Sequence, residues 1–174
     1  GRRHLRAAAA TAAARAAAPD AIVGLGGGSA MDVAKLVAAL MDGRQRVGDV
    51  FGIEKLAGRS LFLACLPTTS GTGSEVSPNA LLLDESDGQK KGVVSPHLVP
   101  DGAYVDPLLT VSMPPAITAA TGMDALVHCI ETYANRVSHP LVDIYGLEGI
   151  RLVNANLLRA VQNGGDVEAR THMA

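Results

Sequence analysis

Aromatic side chains are scarce in this chain. They make up 3% of 174 residues, and tryptophan is absent. A core built here must come from Ala, Val, Leu and Ile in close contact, not from a few large rings. Cysteine is nearly as scarce, with Cys65 and Cys129 alone. Two cysteines cannot make a disulfide framework. Both lie in apolar runs, so they are expected as buried, reduced thiols of a cytoplasmic protein. No charge of one sign dominates. The formal net charge of −2 lacks the basic excess of a nucleic-acid binder. No run of about 20 apolar residues is free of charge, so no membrane span is expected.

What is present is globular material, 48% hydrophobic and 18% charged. The length suits one domain, or one and part of another. The first acidic residue is Asp20; Arg2, Arg3, Arg6 and Arg15 stand among alanines before it. A transit peptide shares that composition. A helix over 5–18 is the preferred reading, because Ala has the highest helix propensity and the run leads straight into a strand.

Ala21-Ile22-Val23-Gly24-Leu25 is apolar without alternation, as in a parallel strand buried on both faces. Gly26-Gly27-Gly28-Ser29 follows, then a helix predicted over 30–41 with Asp32 in its first turn. Helix, strand, glycine turn and helix make half of a doubly wound α/β sheet. The turn is either a tight connection or an anion site at a helix start, where free N–H groups attract a phosphate. Asp32 caps the helix or orients the turn, and its charge would repel a phosphate placed too near. Residues 42–59 read as a loop. Leu61–Leu66 is the next buried strand, ending in Pro67-Thr68-Thr69-Ser70-Gly71-Thr72-Gly73-Ser74-Glu75. This hydroxyl-rich lip lies at a strand's carboxyl end, where open α/β sheets bind ligands. Short strands are predicted at 80–84, 92–95 and 103–106, with a hairpin turn at Asp87-Gly88.

Pro114 and Pro115 mark a change in composition. The following segments read as helices over 115–135, 140–162 and from 166 onward, and the domain boundary is placed near Met113. Asp124 and His128 are four apart on the first of these, with Cβ atoms roughly 6 Å apart on one face. Such a pair is either a surface hydrogen bond or two ligands of one divalent ion; a metal site needs at least one ligand more. His4, His97 and His139 are expected on the surface or in loops, and His172, close to the last residue, is not taken as a further ligand.

Taken together, the GGGS turn with Asp32 and Lys35, the Pro67–Glu75 lip, Pro100 to Pro107, and Gly122-Met123-Asp124-Ala125-Leu126 with His128 and Glu131 resemble the iron-containing (group III) alcohol dehydrogenases. The resemblance runs over nearly the whole chain. It implies a truncated doubly wound nucleotide-binding domain over 1–113, followed by the start of an all-helical metal-binding domain over 114–174, the dehydroquinate synthase-like architecture. It implies a nicotinamide cofactor, NAD or NADP, on Gly27, Gly28, Ser29, Asp32, Thr68, Thr69, Thr72, Asn79 and Lys90. Lys90 is preferred to Lys91 by the count back from Pro96. Asp124 and His128 match the first two ligands of a catalytic ion, ferrous iron or else zinc. The implied reaction passes a hydride between a small alcohol or aldehyde and the nicotinamide, with no nucleic acid and no membrane involved. Alternatives are a dehydroquinate synthase-like lyase, which would not accumulate reduced cofactor, and a non-catalytic remnant.

Family members carry an opening strand with a residue that discriminates NAD from NADP. They also carry two further histidine ligands. The sequence starts after the first and ends at Ala174, before the second. The chain by itself is therefore expected to bind metal weakly and to lack dehydrogenase activity. With a sheet edge and apolar faces of 115–162 uncovered, it is expected to form homo-oligomers or aggregate.

Overall fold

The computed structural model describes residues 3–83, 88–137 and 139–174, with side chains from Ala7 onward. The described residues fall into two compact units. One comprises residues up to Pro67 together with Gly73–Tyr104; the other comprises Thr68–Thr72 together with Val105–Ala174. No helix is long and apolar enough to cross a membrane among the described residues.

The first unit is mixed α/β. Helix α1 (Arg3–Ala17) is the alanine-rich run. Strand β1 (Ala21–Gly26) leads through the glycine turn into α2 (Gly28–Leu40). Strands β2 (Gly52–Ile53), β3 (Phe62–Pro67), β4 (Asn79–Leu83), β5 (Lys90–Val94) and β6 (Gly102–Ala103) follow. One sheet has the order β1-β3-β6 and is parallel throughout. The other has the order β2-β5-β4, with β2 parallel and β4 antiparallel to β5. β2 lies inside the stretch read as loop, and two residues of strand leave little pattern to read. The turn expected at Asp87-Gly88 begins on Asp87, and the end of the strand expected over 80–84 falls on Asp84. Both lie outside the described residues.

Helix α2 packs between the sheets. Met31, Ala34 and Ala38 meet Leu63 and Cys65 on one side. Leu36, Ala39 and Leu40 join Ala80, Leu82 and Val93 on the other. Each large aliphatic side chain so buried contributes about 1.5–3 kcal/mol. The expectation that β1 is buried on both faces is corrected. Gly24 is buried and Ile22 packs against the α2 cluster, but Val23 and Leu25 on the opposite face are 63% and 59% exposed. β3 does bury Leu63, Ala64 and Cys65 in succession.

The second unit is helical. α3 (Pro115–Tyr133) and α4 (Pro140–Gln162) each begin with proline at the first position, where no N–H is needed. α5 (Val167–Met173) starts at Asp166, whose carboxylate accepts from the Ala169 N–H. Its core joins Val153 and Ala160 of α4 to Ala169 and Met173 of α5, with Ala125, Leu126 and Leu157 against them. Arg170 is fully buried there and donates to the Gly164 and Met113 carbonyls and to the Thr118 hydroxyl.

Candidate functional site

β1 and β3 run parallel in a register that pairs Gly26 with Pro67. The two strands therefore end side by side at the carboxyl edge of the sheet, where the glycine turn leaves β1. Gly26 has φ +145°, which L side chains rarely adopt, and a Cβ there would lie 2.8 Å from the Ala30 Cβ. α2 starts at Gly28, earlier than predicted. Its N-cap, Gly27, offers no side chain to the first N–H groups. An uncapped helix start on glycine backbone is suited to an anion.

Starting α2 at Gly28 moves Asp32 past the first turn. The expectation of a first-turn carboxylate is corrected. Asp32 instead faces inward, where its Oδ1 accepts from the Ser74 hydroxyl at 2.7 Å and its Oδ2 from the Leu81 N–H at 3.2 Å. One turn on, Lys35 is fully buried. Its Nζ donates to the carbonyls of Ser77 at 2.8 Å and Asn79 at 2.9 Å, and to the Ser77 hydroxyl at 3.2 Å. Burial pulls the Lys35 ammonium below the ordinary lysine value, and the Asp32 carboxylate is the strongest influence opposing that. Together the two side chains tie α2 to residues 74–81, which lead into β4.

The β4–β5 ladder puts the two lysines on opposite faces. Asn79 pairs with Val94, Leu81 with Gly92 and Leu83 with Lys90. Alternation puts Asn79, Leu81 and Lys90 on one exposed face. Lys91 belongs to the other face, its ammonium 5.8 Å from the centre of the Phe51 ring. Asn79 and Lys90 stand at opposite ends of the ladder, about 13 Å apart along the strand.

In the second unit, Thr68 and Thr69 are half-buried and Thr72 is exposed. Between them Ser70 is buried, and its Oγ has no hydrogen-bond partner among the described residues. A buried hydroxyl without a partner is costly, and a bound polar group would relieve it. On α3 the His128 Nε2 and Asp124 Oδ1 are 3.9 Å apart, both side chains about half exposed. Ligands on one tetrahedral ion stand about 3.4 Å apart, so a small side-chain rotation brings both onto it. The described residues contain no group of three or more His, Cys, Asp or Glu arranged to hold an ion. Cys65 is buried, and burial pushes its thiol up. Cys129 is only part-buried, against the expectation of full burial, and is shifted the same way.

The structure thus brings Gly27, Gly28, Ser29, Asp32, Asn79 and Lys90 into one unit, and Thr68, Thr69, Thr72, Asp124 and His128 into the other. Sequence reasoning passed over Ser70, for which only its place in the hydroxyl run was a signal. It also passed over Arg59, whose guanidinium donates to the carbonyls of Leu61, His97 and Val99 and to Asp101.

The family model for iron-containing alcohol dehydrogenase matches residues 4–107. The model for the C-terminal part of the Fe-containing alcohol dehydrogenase family matches residues 118–174. The chain is 40% identical over 160 residues to the sulfoacetaldehyde reductase of Bilophila wadsworthia, covering 92% of this chain and 41% of that protein. It is 44% identical to long-chain-alcohol dehydrogenase 1 of Geobacillus thermodenitrificans, covering 89% and 40%. Among solved structures, sulfoacetaldehyde reductase from Bifidobacterium kashiwanohense in complex with NAD+ superposes with TM-score 0.92 at 38% identity, covering 96% of this chain and 45% of that one. The chain spans about two fifths of the length of these curated relatives. With two family models covering most of its residues and the fold of its solved relatives, the chain belongs to the iron-containing alcohol dehydrogenase family.

Proposed function

We propose that this chain forms part of a metal-dependent oxidoreductase that moves a hydride between a small alcohol or aldehyde and a nicotinamide dinucleotide. The observation that carries the reading is the Asp124–His128 pair, 3.9 Å apart and half exposed on one face of α3, in a chain of this family. A carboxylate oxygen and an imidazole nitrogen suit a divalent ion, ferrous iron or zinc. When bound, the ion supplies Lewis acidity toward an alcohol oxygen and the nicotinamide supplies the hydride acceptor.

The chain's own residues bind and orient. Gly27, Gly28 and Ser29 offer backbone N–H groups to the dinucleotide phosphates. Asp32 and Lys35 fix the segment that carries Asn79, and Lys90 shares the exposed face with it. Thr68, Thr69 and Thr72 offer hydroxyls to the cofactor, NAD or NADP, and Ser70 adds one that has no other partner among the described residues. Asp124 and His128 hold the ion. The composition fits a cytoplasmic protein, and the exposed apolar side chains of α3 and α4 fit a homo-oligomer. Nucleotide binding is assigned to 1–113 and metal binding to 114–174, while residues 68–72 and 105–113 group with the helical unit.

The test has two parts. An anaerobic Fe2+ or Zn2+ titration of this chain is expected to show binding that Asp124→Asn and His128→Ala each remove. The complete protein, loaded with Fe2+ and given NAD+ and a small primary alcohol, is expected to accumulate reduced nicotinamide. Metal binding unchanged in both variants, or turnover without accumulation of reduced cofactor, overturns the reading. The latter result points to a lyase.

A further inference from the structure

The contact between the hydroxyl lip and α3 carries an inference that rests on the proposed function and refines it. A Cβ built on Gly71 would lie 2.5 Å from the Thr121 carbonyl oxygen and 3.1 Å from both its carbonyl carbon and its Cβ. Only glycine permits this approach, because the obstructing atoms are largely backbone and cannot swing aside. Residues 68–72 accordingly group with the helices and not with the strands that flank them in sequence. Thr121, Asp124 and His128 are three and four residues apart, so they lie along one face of α3. The lip is therefore seated one turn before the carboxylate of the metal pair.

We propose that Gly71 is a positioning residue: it seats the hydroxyl lip on the Thr121 backbone and so fixes the cofactor-binding hydroxyls relative to Asp124 and His128. Two details support the role. The Thr121 hydroxyl folds back to the Ile117 carbonyl at 3.0 Å, which keeps it off the lip. The next residue, Gly122, is buried, and a Cβ there would collide with Leu157 and lie 3.2 Å from the Met173 Cε. α3 is thus held from the lip on one side and from α4 and α5 on the other. The orphan hydroxyl of Ser70, next to the contact, sits where a misplaced lip would lose a bound group.

The experiment compares Gly71→Ala with Gly48→Ala, a site with nothing within 4 Å of the added carbon. Gly71→Ala is expected to bind Zn2+ within twofold of wild type. In the complete protein it is expected to lose about a hundredfold in kcat with little change in the KM for alcohol, as a displacement of about 1 Å between reacting groups does. A second measurement uses the unmutated chain and no turnover. Zn2+ binding is expected to slow amide exchange across residues 69–72 as well as 121–128. Gly71→Ala with wild-type kcat overturns the inference. So does a joint loss of metal binding and melting temperature, or Zn2+ protection confined to α3. Wild-type protein that binds neither Zn2+ nor NAD+ instead overturns the functional reading beneath it.

Discussion

Arg59 and Asp101 form a two-point ion pair, with Nη1 2.5 Å from Oδ2 and Nη2 3.0 Å from Oδ1. The Asp101 Oδ2 also accepts from the Leu63 N–H at 2.7 Å. The pair thereby ties the segment entering β6 to the start of β3. The Arg59 hydrogen bonds, then the Leu63 N–H, hold the Asp101 carboxyl at about 2, below its ordinary 3.8. A depressed carboxylate stabilises the fold above its unfolded value and loses that contribution as pH falls through the folded value. Stability is therefore expected to be flat above pH 3.8 and to fall by about 1 kcal/mol toward pH 2, a figure reduced because the carboxylate is more than one-third exposed. Urea unfolding across that window checks this, and Asp101→Asn should make the slope shallower than in the parent.

Lys35→Met is expected to cost about 3 kcal/mol. It leaves two strand-entry carbonyls without their donor and the Asp32 carboxylate buried without its neighbouring cation. Combining it with Asp32→Asn should cost less than the sum of the two single changes by more than about 1 kcal/mol. A double-mutant cycle by chemical denaturation measures this; additive costs would show the two side chains act independently.

Cys129 and Gly149 meet where α3 crosses α4. A Cβ on Gly149 would lie 2.5 Å from the Cys129 Sγ, with the Cys129 Cβ next at 3.6 Å. Gly149→Ala alone is expected to destabilise by about 1–3 kcal/mol through overpacking. Adding Cys129→Ala removes the obstructing atom, so the double variant should melt near or above the parent, helped by the helix propensity of alanine. A double variant no more stable than Gly149→Ala would place the clash elsewhere.

His128→Ala is expected to weaken Zn2+ binding by more than a hundredfold, since loss of an outer partner alone costs about ten- to a hundredfold. Metal-free melting should be unchanged, because the side chain is half exposed. In the parent, added Zn2+ should raise the melting temperature, and in the variant it should not. Calorimetric scans with and without the ion decide.

Sequence periodicity and punctuation located β1, β3 and the three helices of the second unit to within about two residues, because Gly26 and Pro67 end the two strands, prolines open α3 and α4, and Gly164-Gly165 separates α4 from α5. That Asp124 and His128 share one face of α3 was legible because helical spacing is local. β2 was not, since Gly52 and Ile53 form a strand only by pairing with Val93 and Val94 some forty residues away. Arg59 and Asp101 are likewise distant in sequence, and nothing in either neighbourhood announces the other. Lys35 left a trace, a lone cation in Val-Ala-Lys-Leu-Val, but which carbonyls it would reach depended on where β4 starts. The Gly71–Thr121 seat left none, because the contact is made by backbone.

Asp32 turns inward one turn into α2, close to the helix start. A carboxylate close to an anion-accepting helix start would weaken it, and here the lysine one turn further along offsets that negative field. On the proposed function, the amide dipoles of α2 then attract a phosphate against a weaker opposing charge. Replacing the lysine alone should make dinucleotide capture weaker and more sensitive to ionic strength, whereas neutralising both members of the pair should leave that sensitivity where it was.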